Sequence, residues 1–305
     1  MRGHKIILLS LALCGLSGSA RADGTTAAFL KLGAGARPLA MGDAFTAVAD
    51  DINALIWNPA GLAQLKRPEL GVAHAELFAG TRYDFLGFGR PLKSGAAWGT
   101  GVQYLSQGRI EARSADRSES GSFAASDLAV NLAYSSPIFS RAKLGANFKY
   151  LQSRIADASA QGWAVDLGAM QATPLAGLNF GAAVQNLGPG LKFIEERSSL
   201  PLALAAGLAY RLPLGMTLAW DVKHMPRDRR TTVSIGTEYA VFSGLALRAG
   251  YLGAAQWRRG TGGQEGMAGL GAGFGLRVRG YGVDYAFTPM GELGHAQRLS
   301  LSSHF

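Results

Sequence analysis

Large apolar residues alternate with small or polar residues over most of the chain. In one such segment, Leu144, Phe148 and Tyr150 alternate with Gly145 and Asn147. A period of two places successive side chains on opposite faces of a β-strand. The residues opposite the apolar face are mostly Gly, Ala, Asn and Ser, whereas the outer face of a soluble sandwich would be richly charged. The pattern therefore favours a transmembrane barrel, whose strands face hydrocarbon on one side and a polar lumen on the other.

Fourteen segments carry this alternation, an even number, and most of them approach the ~9–11 residues that a tilted strand needs to cross a bilayer. The predicted spans are 69–78, 83–92, 95–107, 125–137, 142–154, 161–173, 177–187, 201–212, 216–225, 231–242, 244–254, 267–279, 281–289 and 296–305. The expected fold class is thus all-β, a transmembrane antiparallel β-barrel of about 14 strands.

The lengths of the connections alternate as well. Long linkers, 108–124, 188–200 and 255–266, follow the third, seventh and eleventh predicted strands, and intermediate ones follow the fifth and thirteenth. Short connections such as 213–215 and Ser243 follow even-numbered strands. Outer-membrane barrels join their strands by short periplasmic turns and longer external loops, so the alternation supports a closed barrel.

The chain ends on an aromatic residue. Phe305 shares a face of the last predicted strand with Leu299 and Leu301. The three residues resemble the terminal signal of barrels that are inserted into the bacterial outer membrane. Outer-membrane lipids are therefore the expected surroundings.

Charged residues within the predicted strands fall on the inward face. A Lys or Arg on the lipid face at the bilayer midplane would cost ~2–4 kcal/mol, so any barrel is expected to show this parity. They form either a hydrated wall that bonds to a plug or a charged path for a polar solute. The predicted lumen-facing charges are Asp127, Lys149, Asp166, Asp221, Lys223, Glu238, Arg248 and Asp284, with Arg298 at the same parity.

The chain before the first strand lacks this alternation. Residues 1–22 have a positive start, an apolar core and an A-x-A site, which predicts a cleaved secretory signal peptide. Residues 23–66 have helical spacing over 40–48 and 52–57. A barrel of fourteen strands is too wide for its side chains to fill, so we expect residues 23–66 to form a partly helical hatch in the lumen of a barrel built from 67–305.

Composition narrows the possible functions. The chain has 305 residues, of which 48% are hydrophobic and 17% charged, with 42 glycines and a formal net charge of +9. Disorder and a helical membrane protein are both disfavoured, because the apolar residues are dispersed. The single cysteine, Cys14, falls in the predicted signal peptide, so the mature chain has no thiol ligand or disulfide. Export also argues against a nucleic-acid partner.

No pattern of catalytic or metal-binding residues is evident. The histidines of the mature chain, His74, His224, His295 and His304, have no H-x-H or H-x-x-x-H spacing. The glycines of 269–275 alternate, which indicates a strand with a glycine face that lets a plug approach closely rather than a phosphate loop. We therefore expect no enzyme activity, no cofactor and no metal.

A dense motif precedes the barrel. Residues 35–51 read GARPLAMGDAFTAVADD, and 53–62 read NALIWNPAGL. The two segments resemble the N-terminal signature of the PorV/PorQ family, a branch of the FadL-like outer-membrane barrels. Asp43 stands where that signature has a second glycine, which puts only a local turn in doubt.

The resemblance implies two functions. PorV/PorQ members serve type IX secretion, so a secretion or surface-attachment barrel with exported cargo or machinery subunits as partners is the first expectation. FadL-like proteins carry hydrophobic molecules such as fatty acids, so a passive channel is the alternative. The resemblance also implies a set of hatch residues, although Asn58 could equally serve as a helix cap and Pro59 as a stop. The implied residues are Asn53, Asn58, Pro59, Ala60, Gly61 and Leu62.

Overall fold

The structure is a computed structural model that describes residues 25–113, 119–193, 195–254, 269–290 and 294–305. The predicted signal peptide, residues 1–22, lies outside the described residues. Among the residues described, no helix is long and apolar enough to cross a membrane.

The described residues form sixteen β-strands, two more than the fourteen that the alternation predicts. They are β1 (Glu69–Glu76), β2 (Arg82–Pro91), β3 (Ala97–Arg113), β4 (Glu119–Phe139), β5 (Ala142–Ile155), β6 (Ala158–Ala172), β7 (Leu178–Leu187), β8 (Leu191–Phe193), β9 (Glu196–Ser198), β10 (Ala203–Arg211), β11 (Met216–Met225), β12 (Arg230–Phe242), β13 (Leu245–Ala254), β14 (Leu270–Val278), β15 (Tyr281–Pro289) and β16 (His295–His304).

Fourteen of these strands close into one antiparallel barrel. Neighbours follow chain order, with β10 next to β7, and the last strand pairs with the first. That seam runs from the pair Glu69 and His304 to the pair Glu76 and Gln297. The predicted fourteen-stranded barrel is confirmed, and closure leaves the sheet without free edges.

Three predicted linkers differ in the structure from the long or intermediate loops that the sequence predicts. Residues 108–124 belong mostly to β3 and β4, which stay paired to Arg113 and Glu119 because a hairpin satisfies its own backbone groups above the bilayer. The connection 188–200 contains the separate two-stranded sheet β8–β9. The intermediate linker after the fifth strand is only residues 156–157. The third long linker, 255–266, lies outside the described residues.

The two ends of the barrel differ in their connections. Pairs such as β4 and β5 or β14 and β15 are joined by two residues at the end where β1 begins and β16 ends. We call this the turn end and the opposite one the loop end. Short turns face the periplasm in barrels of this kind.

The two faces of the wall follow the predicted parity. On β4, Leu132 is 61% exposed on the outside whereas its neighbour Asn131 is completely buried. Aromatic residues at the outward parity include Tyr134, Phe148 and Trp163, each about half exposed. Such side chains supply the apolar band and aromatic girdles of a membrane barrel.

Residues 25–66 lie inside the barrel, and we call them the hatch. They contain helices α1 (Ala36–Ala40) and α2 (Ala54–Trp57), with short 3-10 helices at Ala28–Lys31 and Pro59–Gln64. The predicted helical stretch 40–48 forms turns instead. Its backbone is interrupted at Gly42 and Asp43, where φ is +61° and +68°, in the left-handed region that ends a right-handed helix.

Glycines on the inner wall make room for the hatch. A Cβ atom at Gly250 would overlap the backbone of Met41 and Gly42, and one at Gly145 would overlap Pro59 and Ala60. The alternating glycines of β14 do the same for α1, as the sequence indicated: Cβ atoms at 271 and 273 would meet the helix. The hatch backbone therefore lies directly against the sheet.

The close approach at β13 predicts a selective cost for one added methyl group. Gly250→Ala should lower the free energy of unfolding by about 1–3 kcal/mol, as overpacking does. Gly253→Ala on the same strand is the matched control, because its nearest neighbour is the side chain of Tyr251, at 3.1 Å. The temperature at which unboiled samples lose their folded mobility on a detergent gel measures both. Equal shifts for the two variants would contradict the described seat of the hatch.

Candidate functional site

The hatch has an apolar centre of its own. Phe45 and Leu55 are completely buried and Trp57 is 2% exposed. The rings of Phe45 and Trp57 meet edge to face, with centroids 6.3 Å apart. The indole N–H of Trp57 donates to the carbonyl of Ala34 at 2.9 Å, which ties the start of the hatch to α2.

Asn58 joins three parts of the hatch and wall. Its Oδ1 accepts from the backbone N–H of Ala60, and Pro59 occupies the first position of the 3-10 helix, so Asn58 caps that helix. Its Nδ2 donates to the carbonyl of Thr46 at 2.8 Å and to that of Ala169 on β6 at 3.2 Å. Asn58 therefore has the geometry of a helix cap, which is the alternative that the sequence left open for it.

The other residues implied for the hatch motif are buried. Pro59, Ala60, Gly61 and Leu62 pack toward β4, β5 and β6. The backbone N–H of Asn53 donates to the side-chain carboxylate of Asp51 at 2.9 Å. The residues of the motif thus lie together where the hatch contacts the wall.

Wall side chains bind hatch carbonyls that the short helices leave unpaired. Gln185 on β7 donates to the carbonyls of Ile56 and Trp57 at 2.7 and 2.9 Å. Asn147 on β5 donates to Leu55 at 3.0 Å. These bonds supply partners for the carbonyls at the end of α2.

Arg37 is the centre of a charge cluster near the turn end, which we call the latch. Its guanidinium donates to both carboxylate oxygens of Glu238 at 2.7 Å, to Asp50 at 2.6 Å and to Asp51 at 2.8 Å. Glu238 also accepts from Arg248, at 2.6 Å. The latch therefore links α1 to the wall through a bidentate pair, the strongest ion-pair geometry.

Electrostatics of the latch are set by burial. Burial raises the pKa of Asp51 to about 6, although the Arg37 guanidinium opposes that rise. The pair is enclosed, because the side chains of Arg37 and Asp51 are 10% and 12% exposed. Arg248 extends the cluster to Asp284 on β15 at 2.7 Å. Of the predicted lumen-facing charges, three therefore meet here.

A second polar set, which we call the belt, follows the inner wall from β5 to β7. Lys149 pairs with Asp166 at 2.6 Å and donates to Asn186 at 2.8 Å, and all three are buried. Asn186 has φ +61° and interrupts the register between β6 and β7, so its backbone N–H turns toward Asp166 and donates at 2.7 Å. The bulge thus completes a buried ion pair.

The remaining predicted charges have separate partners. Asp221 accepts from the backbone N–H groups of Phe45 and Thr46 at 2.9 and 2.7 Å. Arg298 donates to the carbonyl of Gly33 at 2.9 Å. Asp127 accepts from Ser153, outside the contact with the hatch.

Lys223 has a different kind of contact. Its ammonium lies 4.7 Å from the ring centroid of Trp57. No carboxylate of the described chain is within ion-pair distance of it. Lys223 is therefore held by a cation-π contact.

The first residues of the hatch are fixed at the loop end. The backbone N–H of Thr26 donates to Ser199 at 2.9 Å, beside β9. Thr25 donates to Asp228 and Lys31 pairs with it, both at 2.8 Å. The hatch is thus anchored at the loop end and continues into β1 at the turn end.

Two of the cavities beside the hatch differ in position and lining. One, of about 350 Å³, lies at the turn end beside the latch and is lined by charged residues that include Asp50 and Arg277. The other, of about 140 Å³, lies between the hatch and strands β7 and β10–β13, where Leu30, Asp43 and Lys223 line it. Within the described ranges, no cluster of three or more His, Cys, Asp or Glu residues could hold a metal ion.

The terminal residues lie where the barrel closes. Leu299 and Leu301 are about half exposed on the outer face of β16. The Phe305 N–H donates to the carbonyl of Pro68 at 3.1 Å, and its ring stacks on Phe88 at 6.3 Å between centroids. Their role as an insertion signal stays a prediction.

A family profile matches the first half of the chain. The profile describes the uncharacterised protein family UPF0164, and the match covers residues 18–174. Among curated protein sequences, none matches the chain.

Solved structures of transporters share the fold. The Pseudomonas putida toluene transporter TodX superposes with a TM-score of 0.66 at 15% identity, over 90% of this chain and 99% of its own. The Ralstonia pickettii toluene transporter TbuX gives 0.64 at 12%, over 90% and 98%. A Pseudomonas aeruginosa FadL homologue gives 0.57 at 12%, over 86% and 95%. These matches establish a FadL-like barrel fold and do not single out the PorV/PorQ branch.

The latch predicts a large difference between two arginines that share Asp50. Arg37→Gln should lower the free energy of unfolding by about 3–5 kcal/mol, because it leaves buried carboxylates without a cation. Arg211→Gln should cost at most about 1 kcal/mol, since Arg211 is 43% exposed in its pair with Asp50. Urea unfolding of the detergent-solubilised barrel measures both. Similar losses in the two variants would show that Arg37 does not hold the hatch.

Proposed function

Because the chain belongs to the uncharacterised protein family UPF0164 and has a FadL-like barrel fold, we propose that it is an outer-membrane channel for small hydrophobic molecules. This is the alternative that the sequence left open. The solved structures with the same fold are named as toluene transporters, and none of these matches supports the type IX secretion interpretation. A secretion partner stays a prediction of the motif resemblance alone.

The observation that carries the proposal is the way the hatch is attached. Its backbone lies against glycines of the wall, and its links to the wall include uncharged hydrogen bonds such as those of Gln185. Water can replace polar partners of this kind at modest net cost. A hatch held in this way can shift within the lumen while the strand ladder stays closed, as a gated channel requires.

The polar lumen also explains why passage needs a gate. With the hatch in place, the described cavities are separate and small. A solute has to displace part of the hatch from its seat to reach the periplasmic side. The comparison structures are transporters, so an enzymatic step is not part of the proposal.

Uptake of radiolabelled toluene tests the channel. Cells that lack their own FadL-type proteins should take up toluene faster when they produce this chain than when they carry an empty vector. Migration that changes on boiling should accompany every sample, because a folded barrel resists detergent. Uptake no faster than with the empty vector, from a folded barrel, would reject the channel.

A disulfide between hatch and wall tests the gate. The hydroxyl oxygen of Ser300 lies 2.8 Å from the backbone nitrogen of Ala36, so Ala36→Cys with Ser300→Cys would join α1 to β16. The oxidised pair should lose toluene uptake and regain it on reduction, whereas each single variant should behave as the parent. The only native cysteine is Cys14, in the predicted signal peptide. Unchanged uptake by the oxidised pair would leave the channel standing and reject a moving hatch.

A further inference from the structure

The cavity of about 140 Å³ has the size of one ring. It lies between the hatch, at Leu30 and Asp43, and the wall strands β7 and β10–β13, and it is partly open. A cavity of roughly 150 Å³ lined by apolar side chains admits a benzene molecule. One monocyclic molecule therefore fits, and a long acyl chain does not.

The apolar part of the lining comes from both the hatch and the wall. Leu30 belongs to the hatch, Met225 to β11 and Leu252 to β13. Ala203 on β10 adds a methyl group. The cavity can therefore place carbon atoms against a ring, as the apolar side chains of ligand pockets do.

The cations of the lining outnumber its carboxylates, because Lys31, Lys223 and Arg230 face two carboxylates, Asp43 and Asp221. Lys31 pairs with Asp228 at 2.8 Å. Within the described chain neither Lys223 nor Arg230 has a carboxylate at ion-pair distance. These two cations can therefore pair with an occupant of the cavity.

The two carboxylates of the lining reduce this excess without reversing it. Asp221 accepts from the backbone N–H groups of Phe45 and Thr46, and its charge also acts on Lys223. Burial raises the pKa of Asp43, although Lys223 opposes that rise. An unsubstituted hydrocarbon in this cavity would leave Lys223 and Arg230 desolvated without a carboxylate at ion-pair distance, which is costly.

We propose that this cavity binds a ring-sized organic anion, with its carboxylate directed to Lys223 and Arg230 and its ring against Leu30, Met225 and Leu252. The inference deepens the proposed function, since it names the substrate class, and its transport role rests on that function. The binding itself does not. Benzoate is the simplest molecule with this chemistry, and benzamide has the same shape without the charge.

Binding to the purified, folded protein in detergent tests the proposal by calorimetry. Benzoate should bind at least about tenfold more tightly than benzamide, which is about the contribution of one charge-assisted hydrogen bond. Lys223→Met should remove that preference, because it should lower the affinity for benzoate at least about tenfold. Lys223→Arg should keep it. Lys143→Met, which changes a lysine that lines a separate cavity of about 100 Å³ near the turn between β4 and β5, is the matched control and should bind as the parent does.

The outcomes separate this inference from the channel. Equal affinities for benzoate and benzamide, or a preference that survives Lys223→Met, would overturn the anion site even if toluene crosses the membrane. A preference that depends on Lys223, found together with no uptake of either toluene or benzoate, would uphold the site and reject the channel. Binding of hexadecanoate as tight as that of benzoate would overturn the assignment of ring size. Migration that changes on boiling verifies that each variant is folded.

Discussion

The inner wall of a wide barrel carries polar groups that must find partners. Fourteen strands enclose a lumen that their side chains cannot fill, yet Asn147, Lys149 and Asp166 are almost completely buried in it. Buried polar groups are costly unless they are hydrogen-bonded. The hatch supplies hydrogen-bond partners from within the lumen, and the belt supplies them along the wall. The wall glycines that give space to the hatch backbone and the latch that joins it to the wall serve the same need.

The strands were predictable because their signal is local. Alternation with a period of two is visible within eight or ten residues, and parity alone identified the charges that face the lumen. The pairing of β3 and β4 beyond the bilayer was missed, because a polar hairpin outside the membrane has no apolar face to reveal it. The helical stretch predicted over 40–48 was wrong for a local reason, since Gly42 and Asp43 both take a positive φ, which ends a right-handed helix.

The partners within the site were not predictable from spacing. Arg37 lies 201 positions from Glu238. In the sequence, Arg37 stands out only as part of a family motif. Gln185 was missed because an uncharged residue at inward parity gives no hint that it binds hatch carbonyls. Asn58 was the exception: an Asn-Pro pair before a short helix is a local signal, and its capping role followed from the residues themselves.

The bonds between β16 and the hatch bear on how the chain assembles. Arg298 and Ser300 stand on the strand that closes the seam with β1, and their partners are Gly33 and Ala36 at the start of the hatch. If the seam closed over an empty lumen, the guanidinium of Arg298 would face water in place of those carbonyls, and the bonds that join this strand to the hatch would be missing. The start of the hatch and the strand that closes the seam therefore stabilise each other, which makes the strength of the seam depend on whether the lumen has been filled.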